Sequence, residues 1–110
     1  MKLATSSTTL ISTLLALSAS VSANSCVRQD NALYTYIVHA DSADGASGIC
    51  NGLWDNLQRF ASCVASNTNC DETGGTIDWS FDVGRGCDGG SVESAWWEAT
   101  RNNYGSIDCP

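Results

Sequence analysis

Beyond Lys2 the chain has no lysine, and its one proline is the last residue given, Pro110. It has a single histidine, His39, and a single methionine, Met1. Each scarcity removes a class of function. From residue 24 onward only Arg28, Arg59, Arg85 and Arg101 oppose twelve acidic residues. Nucleic acid is therefore excluded as an expected partner, because its binding depends on Lys and Arg neutralising phosphates. An anionic membrane surface is disfavoured on the same ground. No apolar run reaches the ~20 residues of a bilayer-spanning helix, so no membrane span is expected. No C-x-x-C pair occurs, and one histidine cannot complete a common zinc set. There is no internal repeat, no low-complexity linker and no N-x-[ST] sequon; Asn24-Ser25-Cys26 is only the rare cysteine variant.

What is present is cysteine behind a leader. Lys2 gives a positive start, Leu10 to Val21 an apolar stretch, and Val21-Ser22-Ala23 a small-residue cleavage site. Residues 1–23 read as a signal peptide, and 24–110 as one disulfide-rich domain that is secreted and extracellular. All six cysteines, Cys26, Cys50, Cys63, Cys70, Cys87 and Cys109, lie after that cut. An even count in a small secreted chain reads as three disulfides, which so small a core needs for stability.

Leu33 to His39 is rich in aromatic and β-branched residues and reads as a strand. Ile49, Leu53, Leu57, Phe60, Ala61 and Val64 recur at helical spacing, which predicts a helix over about 47–66 with Ser47 as its N-cap. A helix that long sets Cys50 and Cys63 about 20 Å apart, too far to pair with each other. Residues 67–75 read as a loop. Thr76 to Val83 alternates without error, with Ile77, Trp79, Phe81 and Val83 on one face, and predicts a half-buried strand of an antiparallel sheet. Trp79 is thereby expected in the core. Gly84 to Gly90 reads as a turn region. In the tail, propensity favours a helix with Ser91 as a possible cap, although a strand and turn also fit. The sum is an α+β domain, a small disulfide-stabilised sandwich of an antiparallel sheet on one main helix.

Catalytic constellations are scarce, and no enzymatic activity, cofactor or metal is expected. Paired cysteines leave no thiolate nucleophile. His39, with Asp41 and Asp44 following, has no serine in a nucleophile motif and reads as a strand-end residue. Asp71-Glu72 is an acidic pair in a loop, where carboxylates held apart across a cleft are not expected. Nothing has the spacing of a calcium loop. The tryptophans are more informative. Trp54 and Trp79 fall on faces that suit a core. Trp96 and Trp97 are adjacent, so that in either a helix or a strand one is buried and the other at least partly exposed. With Asp88, Asn103 and Tyr104 they form the candidate ligand site, since an indole offers a flat apolar face and carboxylate and amide groups offer hydrogen bonds to hydroxyls. Gly89 and Gly90 let backbone approach a ligand, and a Cys87–Cys109 bridge, if formed, would fix both ends of the span.

The same region resembles a known family. Gly86-Cys87-Asp88-Gly89-Gly90-Ser91, then Trp96-Trp97, then Asn103-Tyr104-Gly105 and Cys109 are similar to the tail of the small secreted glycan-binding proteins of mushrooms. Cys50-Asn51-Gly52 matches a further Cys-Asn-Gly there. Arg101-Asn102-Asn103 departs from that family's Asp-Pro-Asn, and a segment carrying a helix and a cysteine is missing before Gly86. The resemblance implies a compact α/β sandwich, a Trp-led strand in the tail, and a non-enzymatic lectin for N-acetylhexosamine-containing glycans. The expected partner is then an extracellular glycan or glycoprotein. The competing expectation is a secreted fungal effector or killer-toxin-like protein acting on a host or competitor protein, with a small hydrolase or inhibitor as a third class.

Overall fold

The computed structural model describes residues 24–43, 45 and 47–110. The leader assigned to 1–23, and Asp44, lie outside the described residues. Four strands form one antiparallel sheet in the order β1-β2-β4-β3: β1 (Ser25–Asp30), β2 (Tyr34–Ala40), β3 (Ser66–Asp71) and β4 (Ile77–Val83). Among the described residues two helices, α1 (Ile49–Leu57) and α2 (Gly89–Thr100), join the sheet in an α+β domain. The fold is the α/β sandwich expected from the sequence, with a second helix where the mushroom-lectin resemblance implied a strand. Helical propensity prevails in the tail because Asp88 supplies a strong N-cap, its carboxylate accepting the backbone N–H of Ser91 at 3.0 Å. Asp88, rather than Ser91, is the capping residue.

β2 and β4 form the centre of the sheet, pairing Tyr36 with Phe81 and Val38 with Trp79. Their alternation sorts side chains cleanly. Tyr36, Val38, Ile77, Trp79, Phe81 and Val83 are buried beneath the helices. Leu53 and Leu57 of α1, and Val92, Ala95 and Trp96 of α2, complete the core. Trp54 sets its edge against both Trp79 and Phe81, with ring centroids 5.8 and 5.9 Å apart, an orientation that suits the aromatic quadrupoles. The two helices pack closely at Gly52, where an added Cβ would lie 3.4 Å from the Ala99 Cβ.

Two strands are absent from the sequence reading. β1 pairs along its length with β2, and β3 pairs with β4 through an irregularity between Ser66 and Asn69. Both lie at the sheet's edges. β3 (SNTNCD) is polar and almost wholly exposed, which suits an edge that must resist pairing with other chains but removes any hydrophobic signal. Helix α1 is correspondingly shorter than periodicity predicts. After Leu57 the chain tightens into turns, Arg59 N–H bonding to Asn56 O and Phe60 N–H to Leu57 O. Residues from Ser66 onward are needed as the partner of β4, so sheet pairing overrides the helical pattern and leaves Val64 79% exposed. The N-cap position belongs to Gly48 in the left-handed region (φ 82°), not to Ser47.

Three disulfides lock these elements: Cys26–Cys109, Cys50–Cys70 and Cys63–Cys87. No cysteine is free among the described residues. Cys50 and Cys63 each tie one end of the α1 region to something else, although α1 ends before Cys63 and the continuous helix behind the expected ~20 Å separation is not formed. Cys87 and Cys109 do not pair with each other. Cys109 instead ties the tail to β1.

Candidate functional site

The tail from Asn103 to Pro110 is a strap laid across the start of α2. Trp96 donates its indole N–H to Gly105 O at 2.8 Å, and Glu93 accepts the backbone N–H of Cys109 at 2.7 Å. Asn24 donates its side-chain amide to Tyr104 O and Ser106 O, and Tyr36 donates its hydroxyl to Pro110 O. Ile107 enters the core from this strap. At Gly89 the approach is so close that a Cβ would overlap the carbonyl oxygens of Cys109 and Pro110. Glycine at that position is a packing requirement of the fold.

Between α2 and the strap runs a shallow groove of about 260 Å³, lined by Gly90, Glu93, Ser94, Trp97, Ser106 and Ile107, with Trp96 at its base. The adjacent tryptophans divide as helix geometry demands, Trp96 fully buried and Trp97 47% exposed. The groove thus combines an open indole, a carboxylate fixed by a backbone donor, and two serine hydroxyls.

The other candidate residues have different positions. Asp88 is exposed, and its carboxylate is taken up by the Ser91 amide and hydroxyl, which hold it below the usual carboxylate range. Tyr104 packs against the core, half buried. Asn103 follows the helix end and is exposed. None of these three lines the groove; Trp96 and Trp97 do. Glu93, Ser94 and Ser106 were missed by the sequence reading. The signal that could have found Glu93 and Ser94 is helical register: they stand four and three residues before Trp97, one turn away on the same face.

The remaining charged groups act locally. His39 lies on the sheet face away from the helices, its Nδ1 2.6 Å from Asp78 and its Nε2 2.6 Å from Asp41. Those carboxylates, Asp78 foremost, raise its pKa above the ordinary value. Glu72 accepts the backbone N–H groups of Gly48 and Cys50. Asp82 accepts from Asn67 and Thr35, which lower its pKa. Tyr34 lies beneath two guanidinium groups, Arg28 at 4.2 Å and Arg85 at 4.9 Å from its ring centre. Among the described residues no three His, Cys, Asp or Glu side chains converge as a metal site, and no helix is long and apolar enough to cross a membrane. A second hollow, of about 510 Å³, opens where α1 stops short, lined mainly by Trp54, Leu57, Phe60, Val64 and Ala65. No family model, curated protein or solved structure matches the chain.

Proposed function

We propose that this protein is a secreted, non-enzymatic carbohydrate-binding module whose site is the groove beside Trp97. The observation that carries the reading is the exposed Trp97 indole next to Glu93, Ser94 and Ser106 on a rigid helix-and-strap frame. A sugar ring presents an apolar face of C–H groups edged by hydroxyls. The indole stacks on that face, and carboxylate and hydroxyl groups bond the edge. The frame is held by the Cys26–Cys109 bridge and the Trp96–Gly105 and Glu93–Cys109 hydrogen bonds, so little ordering is left for binding to oppose. Three disulfides and the leader-like residues 1–23 support an extracellular setting. The mushroom-lectin resemblance, which rests on the same tail, points to glycans as a class, although the tail is a helix where that family's Trp-led strand was implied.

The test is a glycan array followed by titration calorimetry on the oxidised 24–110 domain. Saturable binding that Trp97→Ala weakens at least tenfold, about 1.4 kcal/mol, with an unchanged melting temperature, supports the reading. Silence on the array, or binding indifferent to Trp97, overturns it. The effector or toxin alternative would then be the reading to pursue, through a protein partner or toxicity to cells.

A further inference from the structure

We infer that the Trp97 groove selects a cationic amino sugar, a glucosamine unit with a free ammonium, over its neutral N-acetylated counterpart. The inference rests on the carbohydrate reading and narrows it to one chemical class. Two features of the groove favour positive charge independently. The first is Glu93, the one charged residue among the described residues that line it. Its Oε2 accepts the Cys109 N–H at 2.7 Å, so the carboxylate is held in place before any ligand arrives. The second is the open face of Trp97, whose π quadrupole attracts a cation more strongly than a neutral amide.

The surroundings agree in sign. Glu98 stands next to Trp97 on α2, and Asp108 next to Ile107 on the strap; both are exposed. The nearest cation in sequence is Arg101, which lies past the end of α2 in the left-handed region (φ 55°) and does not line the groove. The domain as a whole has eight more acidic residues than arginines, which draws cationic ligands toward it and repels acidic sugars. An N-acetyl group forfeits both charge contacts, and a sialic or sulfated sugar opposes both.

The experiment titrates the oxidised domain with a glucosamine trisaccharide and, separately, with its fully N-acetylated form, at mildly acidic pH and at low and high salt. Intrinsic tryptophan fluorescence and calorimetry report binding. The glucosamine form is expected to bind about fivefold tighter, the size of one exposed charge pair, with the difference shrinking at high salt. Glu93→Gln keeps an oxygen that can accept the Cys109 N–H and should cut the preference to the part the Trp97 face supplies, with the melting temperature nearly unchanged. Equal or tighter binding of the N-acetylated form overturns the inference and leaves the carbohydrate reading standing. A preference undiminished in Glu93→Gln overturns it too, since overall charge would then be the cause. Failure of both sugars to bind, with tryptophan fluorescence and heat unmoved, overturns the inference, while the carbohydrate reading is decided separately by the glycan array.

Discussion

The side chain of Glu72, just past the end of β3, accepts the backbone N–H of Cys50 at 2.8 Å in the first turn of α1 and that of Gly48 at 3.1 Å. Helix α1 has no capping side chain at its own N-cap residue. Glu72 supplies the missing acceptor from another element and places negative charge where the helix dipole favours it. The Cys50–Cys70 bridge fixes the same junction covalently. Glu72→Ala is expected to cost ~0.5–2 kcal/mol, and Glu72→Gln less, because an amide oxygen still accepts. Thermal melting of the two variants checks the order.

His39 should make stability fall toward alkaline pH. A neutral imidazole has one N–H, so contacts from both ring nitrogens to Asp78 and Asp41 require the charged form. The folded pKa is raised, so this contribution is fully present below the unfolded value near 6.5 and is lost as pH rises through the higher folded value. Asp71, across from Asp78 on β3, is a further acid on this side, Asp82 stands on the same face toward the other end of β4, and Ser25 of β1 is uncharged. An NMR titration of His39 should show the raised pKa, and Asp78→Asn should bring it back toward 6.5 more than Asp41→Asn does. His39→Ala should flatten the alkaline fall in melting temperature.

Gly89→Ala should loosen the strap. The new methyl group would have to displace backbone carbonyl oxygens at Cys109 and Pro110, which the Cys26–Cys109 bridge keeps close. A loss of ~1–3 kcal/mol is expected, as for overpacking a tight core. Gly90→Ala is the control. Its Cβ meets only Asp88 Oδ1 at 3.5 Å, and alanine is the better helix former by ~0.5–1 kcal/mol. Opposite shifts in melting temperature are the expected result.

Trp79 carries the core. It is fully buried on the helix side of β4, touching Trp54 and Phe81, so Trp79→Ala should cost ~3–5 kcal/mol. Among the described residues its indole N–H has no acceptor, unlike that of Trp96. A buried donor left unpaired carries a penalty of ~1–3 kcal/mol. Trp79→Phe removes that donor while keeping an aromatic ring, and should therefore cost well under half of the alanine change. Chemical denaturation of both variants measures the ratio.

What the sequence made legible follows from how much apolar pattern each element carries. β4 reads plainly because Ile77, Trp79, Phe81 and Val83 alternate with polar residues and the sheet buries just that set. β2 reads for the same reason. β3 is invisible, since an exposed edge strand of Ser, Asn and Thr differs little from a loop. The end of α1 is misjudged because Phe60 and Val64 continue a helical spacing that the chain abandons to supply β3. The exposed member of the Trp96–Trp97 pair was foreseeable as a division but not as a choice; the strap decides it by accepting the Trp96 N–H at Gly105. Asp88 lies outside the groove, and the sequence leaves its role open because a carboxylate two residues before a Gly-Ser sequence serves equally as a ligand contact or a helix cap. Here the Ser91 amide claims it.

The Cys26–Cys109 bridge spans 83 residues, and the other two bridges, Cys50–Cys70 and Cys63–Cys87, overlap inside it. The domain is in effect a ring. A protease that cuts one peptide bond anywhere between Cys26 and Cys109 opens the ring without releasing a fragment. A pull applied at its two exits is borne by the sulfur–sulfur bond, so the sheet and helices carry none of the load while that bond lasts. Reduction of that bond restores ordinary chain ends to the domain, and with them its exposure to both cutting and pulling.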